Sequence, residues 1–238
     1  MTFWDHLDVL RGILLKCILA ILLAAVLVFS FKDQVFAVIF APRHASLFGS
    51  FFSSATDIQL INTDLTRQFI VHMQVSAYVG MLLVAPYILW QLYSFVLPAL
   101  RREERRYTTP LLLAAYFMFM LGVCFSYFIL FPLTFRFLGN YQVADSVQNL
   151  ISLESYIDTL LFLSLAMGIT FELPVLSWFL GRLHILHRRQ MRLVRRHAFV
   201  AVIIIAAIIT PTTDAFTLML VSLPMYLLYE LSILVVKN

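Results

Sequence analysis

Apolar residues in this chain fall in long blocks, at about 12–31, 69–97, 110–132, 157–180, 198–210 and 215–235. A membrane's hydrocarbon core is about 30 Å thick and an α-helix rises about 1.5 Å per residue, so a block of about twenty apolar residues predicts a membrane-spanning helix. The first four blocks meet that length. The fifth offers roughly 20 Å of helix, and the sixth meets Glu230 after roughly 22 Å. Two adjacent short spans imply local thinning of the bilayer. Transmembrane barrels alternate polar and apolar positions over short segments, and no such alternation runs through this sequence. The pattern predicts an all-α polytopic membrane protein with six transmembrane helices, the last two short, in a single membrane domain over residues 1–238.

The interruptions carry more detail. Thr2 to Lys16 reads as an amphipathic segment lying along the interface, with Leu7, Leu10 and Leu14 able to share one helical face. The first span lacks the small-residue cleavage pattern of a removable signal peptide and is expected to stay as a signal anchor. From Lys32 to about Thr66 runs the longest polar excursion, expected to be an exposed loop whose Phe36, Phe40, Phe48, Phe51 and Phe52 rest on the bilayer surface or on neighbouring helices. Pro86 inside the long second block predicts a kinked or tilted helix. In the fourth block, Gly168-Ile-Thr-Phe-Glu-Leu-Pro174 places Glu172 roughly 6 Å past the middle of the span. A central ionised carboxylate costs about 2.5–3.5 kcal/mol, so Glu172 should face protein or water, or else be protonated. A bond to a neighbouring helix and a functional contact are both open to it.

Composition agrees with the pattern: 62% of the residues are hydrophobic, 13% are charged and the mean hydropathy is +0.91. Charge then sets orientation. Arg11, Lys16, Arg101, Arg102, Arg105, Arg106, Arg182, Arg188, Arg189, Arg192, Arg195, Arg196 and Lys237 fall on one side of the predicted spans, and only Lys32, Arg43, Arg67 and Arg136 on the other. Thirteen against four places both termini in the cytoplasm. The net charge of +4 reflects this orientation and contact with lipid, and no nucleic-acid-binding module is visible. Cys17 and Cys124 sit apart in apolar runs, and His184 and His187 have no carboxylate or cysteine companions, so no metal or redox site is expected. The loop from Ser94 to Arg106 holds four arginines together with Glu103 and Glu104. Orientation accounts for the arginines. It does not account for the two carboxylates, which are either neutralised by their neighbours or available to a ligand.

Five stretches together carry a resemblance over nearly the whole chain: His6-Leu7 to Leu10-Arg11, Phe95 to Leu100 with Glu104-Arg105-Arg106, Gly168 to Pro174 around Glu172, Thr210-Pro211 with Asp214, and Pro224-Met-Tyr-Leu-Leu-Tyr-Glu230. In order and placement they resemble the TatC family of twin-arginine protein translocases. The resemblance implies a concave helix bundle in the bacterial cytoplasmic membrane, working in a multimeric complex with the single-span proteins TatA and TatB. It also implies a receptor for the twin-arginine signal peptides of folded cargo, driven by the proton-motive force, with no cofactor and no enzymatic step. Glu104 with Arg105 is the implied signal-peptide-binding site, its second acceptor open between Asp8, Glu103 and recognition by Glu104 alone, and Glu172 and Asp214 are the implied partner or transport residues. The sequence departs from the family at Val9, where relatives usually carry Glu and this chain has Asp8 one place earlier. It departs again in the longer turn before Asp214 and at Gln74, where many relatives are basic. The alternative reading is a small-solute or ion-coupled transporter with Glu172 as its ion site, although no repeat relates the two halves. An intramembrane enzyme finds no HExxH, GxSxG or serine-histidine support.

Overall fold

The first helix, α1 (Phe3–Phe29), runs unbroken from the predicted interfacial segment into the first span. Gly12 does not interrupt it, and no proline stands in the segment, so the amphipathic stretch is the start of the spanning helix rather than a separate element. The structure, a computed structural model, describes residues 3–44, 60–62, 64–96, 108–141, 150–210 and 214–236. The rest of the chain order is α2 (Lys32–His44), β1 (Leu60–Ile61), α3 (Arg67–Val96), α4 (Thr108–Phe125), a π-helical turn (Ser126–Leu130), α5 (Phe131–Asn140), β2 (Ile151–Ser152), α6 (Leu153–Phe171), α7 (Leu173–Arg182), α8 (Arg188–Leu193), α9 (Arg195–Ile209) and α10 (Ala215–Val235).

Among the described residues, five helical stretches are long and apolar enough to cross a membrane: Leu7–Phe29, Arg67–Phe95, Thr109–Asn140, Leu153–Arg182 and Ala215–Val235. To these α9 adds 15 residues, or about 22 Å of helix. The short fifth apolar block is therefore a short helix, while α10 continues past Glu230 to Val235. The third span also outruns its expected end at Pro132. A proline within a helix has no N–H and clashes with the carbonyl four residues back, and the π-turn absorbs this by widening the helix locally, with the Phe131 N–H reaching the Ser126 carbonyl.

Burial identifies the centre of the bundle. In an 18-residue apolar stretch of the α6–α7 span half of the residues are buried inside the protein, against 17% in that of α1. Tyr156, Ile157, Leu160, Leu163 and Met167 of α6 meet Val71 and Val75 of α3, Ala206 of α9 and Val221 of α10 in one core. Two glycines allow close helix approach, as small residues do between membrane helices. A side chain on Gly122 of α4 would come within 2.6 Å of the Met167 carbonyl of α6, and one on Gly80 of α3 within 2.7 Å of the Ala25 backbone of α1. The large apolar side chains left outside, such as Val26, Ile208 and Met219, face the bilayer.

Where a loop was expected after Lys32, the chain forms helix α2. Pro42 cannot donate to the Val38 carbonyl, and the Tyr127 hydroxyl takes that place, while Tyr156 donates to Ile39 at 3.0 Å. Phe36 and Phe40 do pack on neighbours, against His72 and Tyr156. Phe48, Phe51 and Phe52 lie outside the described residues. β1 and β2 pair in parallel, Leu60 with Ile151 and Ile61 with Ser152, tying the connection before α3 to the one before α6.

Candidate functional site

Pro174 creates the geometry of the site. With no N–H to offer the Thr170 carbonyl, the helix breaks at Glu172, whose φ is −72° and ψ −17°. The Glu172 N–H turns back to the Ile169 carbonyl at 3.1 Å, and its carbonyl accepts from Leu176 at 2.9 Å to restart the helix as α7. The side chain at this break lines a groove of about 440 Å³ between α3, α4 and α6–α7. Ala85, Leu89, Ala115, Phe119 and Val175 form apolar walls, and among the described residues Glu172 is the only carboxylate in the lining, with Tyr93 as the other polar side chain. Glu172 Oε1 is buried with no hydrogen-bond partner among the described residues. An unmet buried acceptor costs about 1–3 kcal/mol or more when charged, so a donor arriving in the groove gains that much in addition to its apolar contacts.

The other predicted residues lie elsewhere. Glu103, Glu104 and Arg105 fall outside the described residues. Asp8 is exposed near the start of α1. The buried stripe of that helix runs through Ile13, Cys17, Ala24 and Val28, and Val9 stands one turn before Ile13. Asp8 is therefore about 100° round the helix from the position where relatives carry Glu. Asp214 caps α10, its carboxylate accepting from the Thr217 N–H at 2.7 Å. Neither Asp8 nor Asp214 lines the groove.

Sequence reasoning missed two polar clusters. At one end of the bundle, Arg67 of α3 pairs with Glu154 of α6 and lies 3.9 Å from Asp158, to which Gln74 also donates at 3.2 Å. At the opposite end, Arg195 at the start of α9 pairs at 2.6 Å with Glu230 of α10, whose second oxygen accepts from the Tyr226 hydroxyl at 3.0 Å. The spacing of Tyr226 and Glu230, one helical turn, was the available signal for the second cluster. For the first, nothing local links partners 84 residues apart.

Fold and groove define the class as an all-α, multi-pass membrane protein with a single carboxylate set in an apolar lateral groove. The family model for the Sec-independent protein translocase protein TatC matches residues 5–224. A TatC of Deinococcus radiodurans is 33% identical over 97% of this chain and 83% of its own length, and that of Escherichia coli K12 is 32% identical over 96% and 85%. The crystal structure of a twin arginine translocase receptor, TatC, superposes with a TM-score of 0.81 at 33% identity, covering 97% of both chains. A second crystal structure of the receptor, in the detergent DDM, gives 0.84 over 98% of this chain. The chain belongs to the TatC family.

Proposed function

We propose that the chain is the receptor and core subunit of a twin-arginine translocase in the bacterial cytoplasmic membrane, binding the paired arginines of signal peptides on folded cargo and assembling with TatA and TatB. The observation that carries this reading is the likeness to a twin arginine translocase receptor over 97% of both chains. No covalent chemistry is required. Two guanidinium groups are best held by carboxylates through charge-assisted, often bidentate hydrogen bonds, and Glu104, with Arg105 beside it, is the first acceptor. Asp8 is the second. It reaches the site only if the start of α1 rotates or unwinds, because it faces away from the Val9 direction. Glu172 has a separate task, offering its acceptor in the groove to a polar group on a partner's transmembrane helix. The proton-motive force supplies the energy.

The test is export of a twin-arginine reporter in a strain lacking its own TatC, paired with peptide binding to the purified protein. Glu104→Gln keeps size and removes charge, so it should weaken peptide binding about ten-fold or more while insertion stays normal. Asp8→Asn should weaken it less, and Val9→Glu should restore it. Unchanged binding in Glu104→Gln overturns the recognition role. Normal binding in Asp8→Asn with loss in Glu103→Gln moves the second acceptor into the loop. Glu172→Ala should lower partner recovery and export more than peptide binding, and normal recruitment and export would reduce Glu172 to a structural residue.

A further inference from the structure

Between Glu172 and Asp214 the chain has no acidic residue, yet residues 182–196 hold six arginines. Orientation alone needs only a few basic residues in this connection. The fold makes the segment a platform rather than a tether. Helix α7 ends at Arg182, and His184 adopts a positive φ of 58° while the Ile185 and Leu186 N–H groups both return to the Leu180 carbonyl. This closes the helix and redirects the chain across the end of the bundle. His187 and Gln190 then cap α8 reciprocally. One side of α8 is fastened down, with Met191 only 7% exposed against Ile233 and Val236 and its carbonyl accepting from the Tyr229 hydroxyl at 2.7 Å.

The other side carries both halves of a lipid-binding surface. Leu193 is 74% exposed, Ile185 63% and Val194 46%. Arg189 and Leu193, one turn apart, point opposite Met191, and Arg192 and Arg196 are exposed beside them. Arg195 is engaged with Glu230, and among the described residues the buried Nε of Arg188 has no hydrogen-bond partner. Apolar side chains level with a cluster of guanidinium groups at the end of two spanning helices match the boundary where phosphates overlie acyl chains.

We propose that the connection from α7 to α9 is a docking platform for anionic phospholipids of the inner leaflet, with Arg189, Arg192 and Arg196 on the headgroup phosphates and Ile185, Leu193 and Val194 in the acyl boundary. The inner-leaflet assignment rests on the orientation given by the arginine distribution. The lipid chemistry does not. The test uses the full chain purified in a neutral detergent, titrated with phosphatidylglycerol or with phosphatidylcholine, with retained lipid read by native mass spectrometry and protection read by thermal unfolding. The wild type should retain phosphatidylglycerol in preference, and salt should weaken the preference. R189Q/R192Q/R196Q should lose about ten-fold or more of it while unfolding at an unchanged temperature in detergent alone. L193S should reduce retention with the arginines intact, and K32Q, on the opposite side, should change nothing. An undiminished preference in the triple variant overturns the proposal. So does equal protection by inorganic phosphate, which would make the patch a general anion site. Labelling of a cysteine at Gln190 from outside the cell would overturn the leaflet assignment and leave the micelle result standing.

Discussion

Glu172 and Asp214 are both acidic side chains close to a helix break, and their surroundings separate them. Asp214 stands outside its helix and accepts from the Thr217 N–H, one of the donors a helix start leaves unmet. Glu172 stands between two helices, and its Oε1 has no hydrogen-bond partner among the described residues. Substitution should therefore act on different quantities. Asp214→Ala should cost about 1 kcal/mol of stability, and Asp214→Asn should restore most of it, both read by thermal unfolding in detergent. Transport that falls in the asparagine variant at full stability would show that the carboxylate does more than cap. The sequence placed Glu172 in the hydrocarbon zone from span length alone, and the apolar groove around it agrees. The capping role of Asp214 was readable from its position three residues before Thr217, but the resemblance drew attention to transport instead. The groove itself was not readable, because its walls come from α3, α4, α6 and α7 and no local period records how those helices meet.

At the level of elements, the long helices were legible and their irregularities were not. Pro132 was expected to end the third span and Pro42 fell inside an expected loop, since a proline removes a backbone donor. Each is instead accommodated inside helical structure, Pro132 by the π-turn and Pro42 by the Tyr127 hydroxyl on the Val38 carbonyl. The second solution depends on a residue 89 positions away, so α2 could not be recognised as a helix from its own polar sequence. Tyr127→Phe keeps the ring and leaves that carbonyl without its donor. It should destabilise the outer cap by about 1–3 kcal/mol, with the loss concentrated in faster amide exchange over α2 and little change in α6. Uniform loss of protection through the bundle would mean that α2 is not a separate unit. The clasp between α9 and α10 has the same character: Arg195 and Glu230 were each read as belonging to a charged boundary, and only packing shows that they close on one another.

For the molecule as a whole, orientation turns on α9. Beside five long spans, both termini lie on one side only if this 15-residue helix also crosses. Its length of about 22 Å falls short of a hydrocarbon core of about 30 Å, a mismatch that thinning and flanking side chains must cover. The ends suit that task. Arg195 and Arg196 stand at one end, where long cationic side chains can reach the headgroups. At the other, the Thr210 hydroxyl is turned back onto the Ala206 carbonyl at 3.0 Å, so that hydroxyl is not left unmet near the apolar zone. The sides of Ile204, Ile205 and Ile208 are open to lipid in between. The basic residues divide thirteen to four only if α9 crosses and returns the chain through α10. Single cysteines at Ser54 and Gln148 should then react with an impermeant thiol reagent added outside intact cells, while those at Thr108 and Gln190 should react only after the membrane is opened. A cysteine at Thr212, between α9 and α10 in the chain, decides the matter, because it is the one position whose side depends on α9 alone. Labelling there from outside establishes the crossing, whereas protection of Thr212 with exposure of the carboxyl end would leave five spans and reverse the position of Lys237.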